Sequence, residues 1–163
     1  MIRDYRRYYS NLMLMAFLTG MLSFATVSCS SNDNAVEKSE LSALADRVWE
    51  YSLEHPDEFT IDVRTWTLPT EGLCVSYKET QDSHSREQLD KVVEHALRHD
   101  GYVGGWLNAA DGRYYFDSTR LFPEDALDDA IRFGKENGQR SVFVLSSSTD
   151  IPVPSGMTNF SDL

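Results

Sequence analysis

Apolar and polar residues alternate most regularly at Phe59–Leu68, where Phe59, Ile61 and Val63 are separated by polar side chains. Alternation with a period of two is typical of a strand that buries one face. A second strand is predicted at Leu73–Tyr77, after a short turn-forming segment. Because the connection is short, we expect these two strands to pair with each other in antiparallel fashion.

Two further strand-like runs, Tyr102–Leu107 and Tyr114–Leu121, flank a turn that contains Asp-Gly. This dipeptide between aromatic and β-branched runs is the strongest short-range signal for a hairpin. Gly104 and Gly105 lie inside the first run, and glycine within a strand marks a bulge or the close approach of another group. Tight packing is the favoured explanation, and room for a ligand or for the preceding helix is the alternative.

Three stretches carry apolar residues at helical spacing. The first is Ser39–Glu54, in which Ser39 is placed to cap the helix. The second follows Ser85, which is expected to cap it together with Gln88 in a pattern like a capping box. The third is expected within Pro123–Gly138, since proline is tolerated in a first helical turn and Asn-Gly ends a helix.

A continuous apolar run within Ser141–Ser146 predicts a last strand, central in the sheet and covered on both faces. From Ser147 onward the chain is rich in Ser, Thr and Pro, and it is expected to fray. The element order is therefore a helix followed by β-β-α-β-β-α-β. This order predicts an α+β fold with a mostly antiparallel sheet of about five strands, helices on one face and an extra N-terminal helix. We expect one domain at 39–154 and a flexible tail at 155–163.

Residues 1–28 have the features of a secretory leader. A positive segment with Arg3, Arg6 and Arg7 precedes an uncharged apolar stretch at 12–25. This stretch is shorter than the roughly 20 residues that a membrane-spanning helix needs. It therefore predicts a signal peptide rather than a membrane span.

The segment from Thr26 to Cys29 resembles a bacterial lipobox, although Thr26 stands where leucine is usual. The resemblance implies cleavage before Cys29, a thioether-linked lipid on its sulfur and an acyl chain such as palmitate on the new amino terminus. Residues 29–38 are then expected to be a disordered polar tether. Since more than one acyl chain holds a protein firmly on a bilayer, the predicted location is the bacterial cell envelope, anchored in the inner or outer membrane.

The alternative is an ordinary signal peptide with a chance cysteine near its end. In that case a disulfide between Cys29 and Cys74 becomes feasible in an oxidising compartment. If Cys29 is acylated, Cys74 is expected to be a small buried apolar side chain and not a nucleophile.

The formal net charge is −11. Loss of residues 1–28 removes three arginines and one aspartate and makes the remainder more negative still. A charge of this sign argues against nucleic acid as a partner, because proteins that bind it carry basic surfaces. It also argues against adhesion to anionic lipid without an acyl anchor.

The richest polar stretch is the loop Glu79–Ser85, between a strand end and a helix start. A helix N-terminus favours anions and carbonyl groups, so a pocket is predicted from this loop and the hairpin. Its candidate ligand-binding residues are Thr80, Gln81, His84, Trp106, Tyr115 and Asp117. The competing and favoured interpretation is a loop whose side chains bond to their own backbone and cap the helix. No cofactor and no metal is expected, although His95 and His99 share one side of a helix.

Five segments together resemble an uncharacterised small domain that occurs in phage and mobile-element proteins of Bacteroidetes-type bacteria. They are Phe59–Arg64, Glu79–His84, Val103–Trp106, Tyr114–Ser118 and Phe133–Asn137. The resemblance covers about residues 45–150. It implies a compact α+β module and an association with mobile elements, and it supplies no activity and no catalytic residue.

Three functional hypotheses follow. The first is a membrane-anchored lipoprotein with a non-catalytic module that binds an unknown protein or small molecule. The second is a small enzyme with a pocket formed by His84, Gln81 and Asp117. The third is a phage or plasmid exclusion or immunity lipoprotein, which rests on the resemblance alone.

Overall fold

The computed structural model describes residues 31–154, which form three helices and one six-stranded antiparallel sheet. The helices are α1 (Ser31–Glu54), α2 (Arg86–Arg98) and α3 (Leu127–Glu136). The strands are β1 (Phe59–Asp62), β2 (Leu73–Ser76), β3 (Tyr102–Asn108), β4 (Arg113–Phe122), β5 (Ser141–Val144) and β6 (Thr149–Pro152). The predicted α+β class is confirmed, with six strands instead of about five. The leader, Cys29 and the tail at 155–163 lie outside the described residues.

The hairpin predicted at the middle of the chain is confirmed as the centre of the sheet, whose strand order is β1-β3-β4-β2-β5-β6. Strands β3 and β4 are paired from Tyr102 opposite Thr119 to Asn108 opposite Arg113. The turn is held by the amide of Gly112, which donates to the carbonyl of Asn108 at 2.8 Å.

The predicted pairing of the first two strands is wrong, because the central hairpin lies between them. Strand β1 pairs with β3, and β2 pairs with β4 on the far side. Strand β1 is also shorter than predicted, since the chain turns back directly after Asp62. The amide of Trp66 donates to the Asp62 carbonyl at 2.7 Å, and Trp66 has a φ of 56°. The connection between β1 and β2 therefore covers residues 63–72, begins with a local turn and does not join two neighbouring strands.

Three further predictions need correction at their ends. Helix α1 begins at Ser31, so residues 31–38 are helical where a disordered tether was expected. Once a helix has nucleated, adding residues to it costs little. Strand β5 lies next to the edge strand and not at the centre of the sheet. Beyond it the chain forms β6 where fraying was expected, because Val153 is buried among the apolar residues under α3.

All three helices cover one face of the sheet, in two apolar clusters. The larger one joins α1 and α2 to β1, β3 and β4, with Val48, Leu89, Val93, Ile61 and Phe116 fully buried. The smaller one lies under α3 and contains Leu73, Val75, Phe122, Ala130, Val142 and Val153. Burial of each large aliphatic side chain contributes about 1.5–3 kcal/mol. Both clusters lie on the same face, so the helices stabilise the sheet through that face.

Helix α2 has the ends that its sequence predicts. The Ser85 side chain accepts a hydrogen bond from the amide of Gln88, and the Gln88 side chain accepts one from the amide of His84 at 2.9 Å. At the other end Gly101 has a φ of 89°, which glycine adopts without strain. None of the helices within residues 31–154 is long and apolar enough to cross a membrane.

Candidate functional site

The face of the sheet that carries no helix holds a concave pocket of about 260 Å³. Successive residues of a strand point to opposite faces of the sheet. The residues that alternate with the buried ones along each strand therefore point to the face that holds the pocket. In the register of the sheet Thr60 lies opposite Gly104, and Gly104 lies opposite Asp117. On the far side of β4, Thr119 lies opposite Ser76. Hydroxyl and carboxyl groups from neighbouring strands therefore meet on this face.

We call this depression the sheet pocket. It is lined by Glu58, Phe59, Thr60, Cys74, Ser76, Gly104, Gly105, Trp106, Asp117, Thr119, Gln139, Ser141, Phe143 and Asp150. Every one of the six strands contributes, and the two edge strands contribute with Thr60 on one side and Asp150 on the other. Because both edges of the sheet reach one pocket, the sheet curves around it.

Asp117 occupies the middle of the pocket and is partly buried. The indole N–H of Trp106 and the hydroxyl of Ser76 are the donor groups beside its carboxyl group, and both favour the ionised form. Burial raises the pKa of Asp117 to about 6, a little further raised by the charge of Asp82, while the two donor groups oppose the rise. The carboxyl group therefore changes its charge close to neutral pH.

Trp106 forms an aromatic wall with Tyr115, its partner in the hairpin register. The two rings are stacked with centroids 5.3 Å apart and an interplanar angle of 22°. Tyr115 donates from its hydroxyl to Asp111 at 2.7 Å, and its ring also lies 5.8 Å from that of His84. Trp106 lines the pocket and remains 42% exposed, so Tyr115 covers only part of its ring.

Cys74 lines the floor of the sheet pocket beside Thr60, with 3.6 Å between sulfur and hydroxyl oxygen. Burial raises the pKa of the Cys74 thiol to about 11, and the contact with Thr60 opposes this only in part. The thiol is protonated at neutral pH. Since the thiolate is the reactive form, Cys74 behaves as a small buried side chain, as the sequence analysis expects.

Two of the predicted ligand-binding residues, Thr80 and Gln81, form hydrogen bonds with the backbone of the protein. Thr80 is fully buried, and its hydroxyl accepts from the amide of Ser118 at 2.9 Å and donates to the Tyr77 carbonyl. Gln81 donates from its side-chain amide to the carbonyl of Asn137 at 3.1 Å. The loop therefore bonds to the edge of β4 beyond the end of β2. Through Gln81 the loop is also bonded to the residue that follows α3.

His84 does not line the sheet pocket either. Its Nδ1 lies 2.8 Å from the carbonyl oxygen of Asp82, and its ring reaches the pocket only through Tyr115. The three groups of the enzyme hypothesis thus have separate partners: Asp82 for His84, Asn137 for Gln81, and the Trp106 and Ser76 donors for Asp117. The structure places Trp106 and Asp117 together in one pocket, with Tyr115 behind Trp106.

Several lining residues escaped the sequence analysis, among them Glu58, Thr60, Ser76, Thr119 and Asp150. The signal for Thr60 and Ser76 was present, because each is the polar member of an alternating strand pattern. Asp150 was missed because β6 was not predicted.

A second group of polar and aromatic side chains lies at the end of α2. The rings of His95 and His99 are stacked with centroids 3.9 Å apart, and both contact the ring of Tyr77. Burial and the charge of His99 lower the pKa of His95. Among the side chains that the structure describes, at residues 37–154, His, Cys, Asp and Glu form no group of three that is able to hold a metal ion.

Comparison with protein-family models, with curated proteins and with solved structures finds no match for this chain.

Proposed function

We propose that this chain is a lipid-anchored protein of the bacterial cell envelope whose α+β domain binds a small polar ligand in the sheet pocket. The observation that carries the binding function is the partly buried carboxyl group of Asp117, which lies beside the donor groups of Trp106 and Ser76 in a pocket that all six strands line. Binding sites are typically concave, with a few convergent polar groups and a titratable group of shifted pKa.

Binding without catalysis fits this pocket better than an enzymatic reaction. Catalysis needs a nucleophile or an acid and base in mutual contact. Among the lining residues, the Cys74 thiol is protonated, and the polar groups of Trp106 and Ser76 beside Asp117 are hydrogen-bond donors, so neither of them is a base. His84, the predicted general acid or base, has its own partner in Asp82.

The lipid anchor is supported by the leader, by Cys29 and by the polar residues that follow it. Helix α1 begins at Ser31, and its residues at 37–40 are exposed, whereas its buried positions begin with Ala45. In this proposal the exposed residues 37–40 belong to the spacer that keeps the domain off the bilayer. The implied association with mobile elements stays a prediction.

Labelling with palmitate in a bacterial host tests the anchor. Labelling should be lost in Cys29→Ala and retained in Cys74→Ala, which removes the only other cysteine. Unchanged labelling of the Cys29→Ala protein would contradict the lipid anchor.

Fluorine NMR of the full chain carrying 5-fluorotryptophan tests the binding function. The chain has three tryptophans, of which Trp106 borders the sheet pocket, while Trp49 and Trp66 contact the apolar cluster on the helix-covered face. A panel of choline, glucose and lactate represents cationic, neutral and anionic ligands, and Trp106→Phe assigns the signal.

At least one member of the panel should shift the Trp106 signal saturably and leave the signals of Trp49 and Trp66 in place. If no member shifts the Trp106 signal, the sheet pocket is not a site for small polar ligands.

A further inference from the structure

The charges and rings around the sheet pocket narrow the class of ligand. We propose that the pocket binds a small organic cation, with the Asp117 carboxylate as its counter-ion and the face of Trp106 as its aromatic contact. This inference rests on the proposed binding function and adds the chemistry of the ligand to it.

The charged groups that line the pocket are all acidic. They are Asp117 at the centre and Glu58 and Asp150, both exposed, at opposite edges of the sheet. No lysine, arginine or histidine is among the lining residues. A concave surface with charges of one sign concentrates ions of the other sign. An anionic ligand would meet three carboxyl groups without a compensating cation.

The aromatic contact distinguishes an organic cation from a metal ion. Trp106 is 42% exposed beside Asp117, and Phe143 lines the pocket from the neighbouring part of the sheet. A tryptophan face attracts ammonium groups through the quadrupole of its ring, whereas a metal ion needs several convergent ligand atoms. No group of three potential metal ligands occurs among the described side chains of residues 37–154.

The size of the pocket sets an upper limit on the ligand. Its volume of about 260 Å³ lies just below the range of about 300–1,000 Å³ that holds drug-sized molecules. The hydroxyl groups of Thr60, Ser141 and Thr119 and the amide of Gln139 line the remaining wall. A ligand of a few carbon atoms with one ammonium group and one hydroxyl group fits this combination of space and chemistry.

The affinity should depend on pH through Asp117. The titratable groups around it are Cys74 on β2, Glu58 before β1, Asp150 on β6, Asp82 in the loop and Tyr115 on its own strand. Of these, Cys74 and Tyr115 have raised pKa values and stay neutral. Because the pKa of Asp117 is about 6, its carboxyl group gains its charge as the pH rises from 5 to 7.5.

Choline and 3,3-dimethylbutan-1-ol form the decisive pair of probes, since the second replaces the quaternary nitrogen of the first by carbon. The charge of choline does not change with pH. Titration of the full chain, followed by the fluorine signal of Trp106, should show choline binding at least tenfold tighter than its neutral analogue at pH 7.5. The affinity for choline should fall about tenfold from pH 7.5 to pH 5, because the ionised fraction of a group with a pKa near 6 falls by about this factor.

Asp117→Asn should weaken choline binding about tenfold at pH 7.5 and remove most of the pH dependence. Asp125→Asn is the matched control, because Asp125 is exposed before α3 and does not line the pocket. It should bind choline like the parent protein.

The outcomes separate this inference from the function on which it rests. Equal affinity for the charged and neutral probes, or binding of glucose or lactate alone, would overturn the cation inference and leave the binding function in place. If neither probe and no member of the wider panel shifts the Trp106 signal, both are overturned.

Discussion

The phenyl ring of Phe59 occupies the position that a side chain on Gly105 would need. The two residues are partners in the register of β1 and β3. A Cβ atom built on Gly105 would lie 2.5 Å from Cε1 and from Cζ of Phe59. The ring is itself held between Tyr51, at 5.2 Å, and Tyr114, at 6.2 Å between centroids. Close packing explains this glycine, as the sequence interpretation favours.

Gly105→Ala should therefore lower the free energy of unfolding by about 1–3 kcal/mol, because the added methyl group overpacks the core. Gly104→Ala is the control, since its Cβ would point to the other face, 3.0 Å from Oγ1 of Thr119. A hydroxyl group at the end of a side chain moves more easily than a packed ring, so we expect a loss below about 1 kcal/mol. Urea denaturation of both variants measures the difference, and equal losses would contradict this account.

The sequence predicts the parts of this fold that depend on neighbouring residues. The β3–β4 hairpin follows from its Asp-Gly turn and alternating flanks, and α2 follows from Ser85, Gln88 and its apolar stripe. The partners of β1 and β2 depend on contacts between segments far apart in the chain. Local pattern predicts that each strand exists, and it does not predict that the hairpin lies between them.

That Trp106 and Asp117 share the sheet pocket could also be read from local pattern, while their role in binding a ligand stays a prediction. Asp117, Trp106 and Tyr115 belong to the hairpin, so their common surface follows from the register. Thr80 and Gln81 form a polar loop, and the sequence alone does not distinguish a loop that binds a ligand from one that completes a sheet edge. The structure makes that distinction, since the Thr80 hydroxyl accepts from the amide of Ser118.

Thr80→Val tests this structural role, because valine keeps the shape of threonine and removes the acceptor. The buried amide of Ser118 would lose its hydrogen bond, and we expect a loss of about 1–3 kcal/mol in the free energy of unfolding. The exposed Thr65, whose hydroxyl lies 2.8 Å from that of Thr67, is the control. Thr65→Val should change stability by less than about 0.5 kcal/mol, because water replaces the lost bond. A Thr80→Val protein of parental stability would refute the assignment.

Arg86 uses all three of its guanidinium nitrogens: Nε and Nη2 join α2 to α1, and Nη1 bonds within α2. Nε donates to Asp46 at 2.7 Å, Nη1 donates to Asp90 at 2.7 Å, and Nη2 donates to the carbonyl of Ser42 at 2.9 Å. A lysine ammonium group has the charge but lacks this planar geometry. Arg86→Lys should therefore lower the free energy of unfolding by about 1–2 kcal/mol.

The control for Arg86 is Arg98, which has one exposed partner, Glu94, on the same helix. Arg98→Lys should cost less than about 0.5 kcal/mol, since exposed pairs contribute little. Chemical denaturation at 0.1 M and 1 M salt measures both. A loss that is the same for the two variants would show that the α1–α2 contact does not depend on the shape of Arg86.

The raised pKa of Asp117 predicts how stability changes with pH. The pKa is about 6 in the folded protein against an ordinary value of 3.8 for aspartate, so the folded state holds the proton more tightly than the unfolded state. The resulting stabilisation is complete below about pH 4 and is lost as the pH rises through 6. A shift of about two units corresponds to at most about 3 kcal/mol. The stability of Asp117→Asn relative to the parent should therefore rise by about 2–3 kcal/mol between pH 4 and pH 8.

Guanidinium denaturation of both proteins across this pH range gives the difference in their free energies of unfolding. The contributions of the other titrating groups cancel in this difference. Asp125→Asn removes an exposed carboxyl group, and its difference from the parent should stay constant with pH. Parallel stability curves for the parent and Asp117→Asn would show that the carboxyl group of Asp117 is not desolvated. The same result would remove the pH dependence expected for choline, because both effects arise from burial of one group between Trp106 and Ser76.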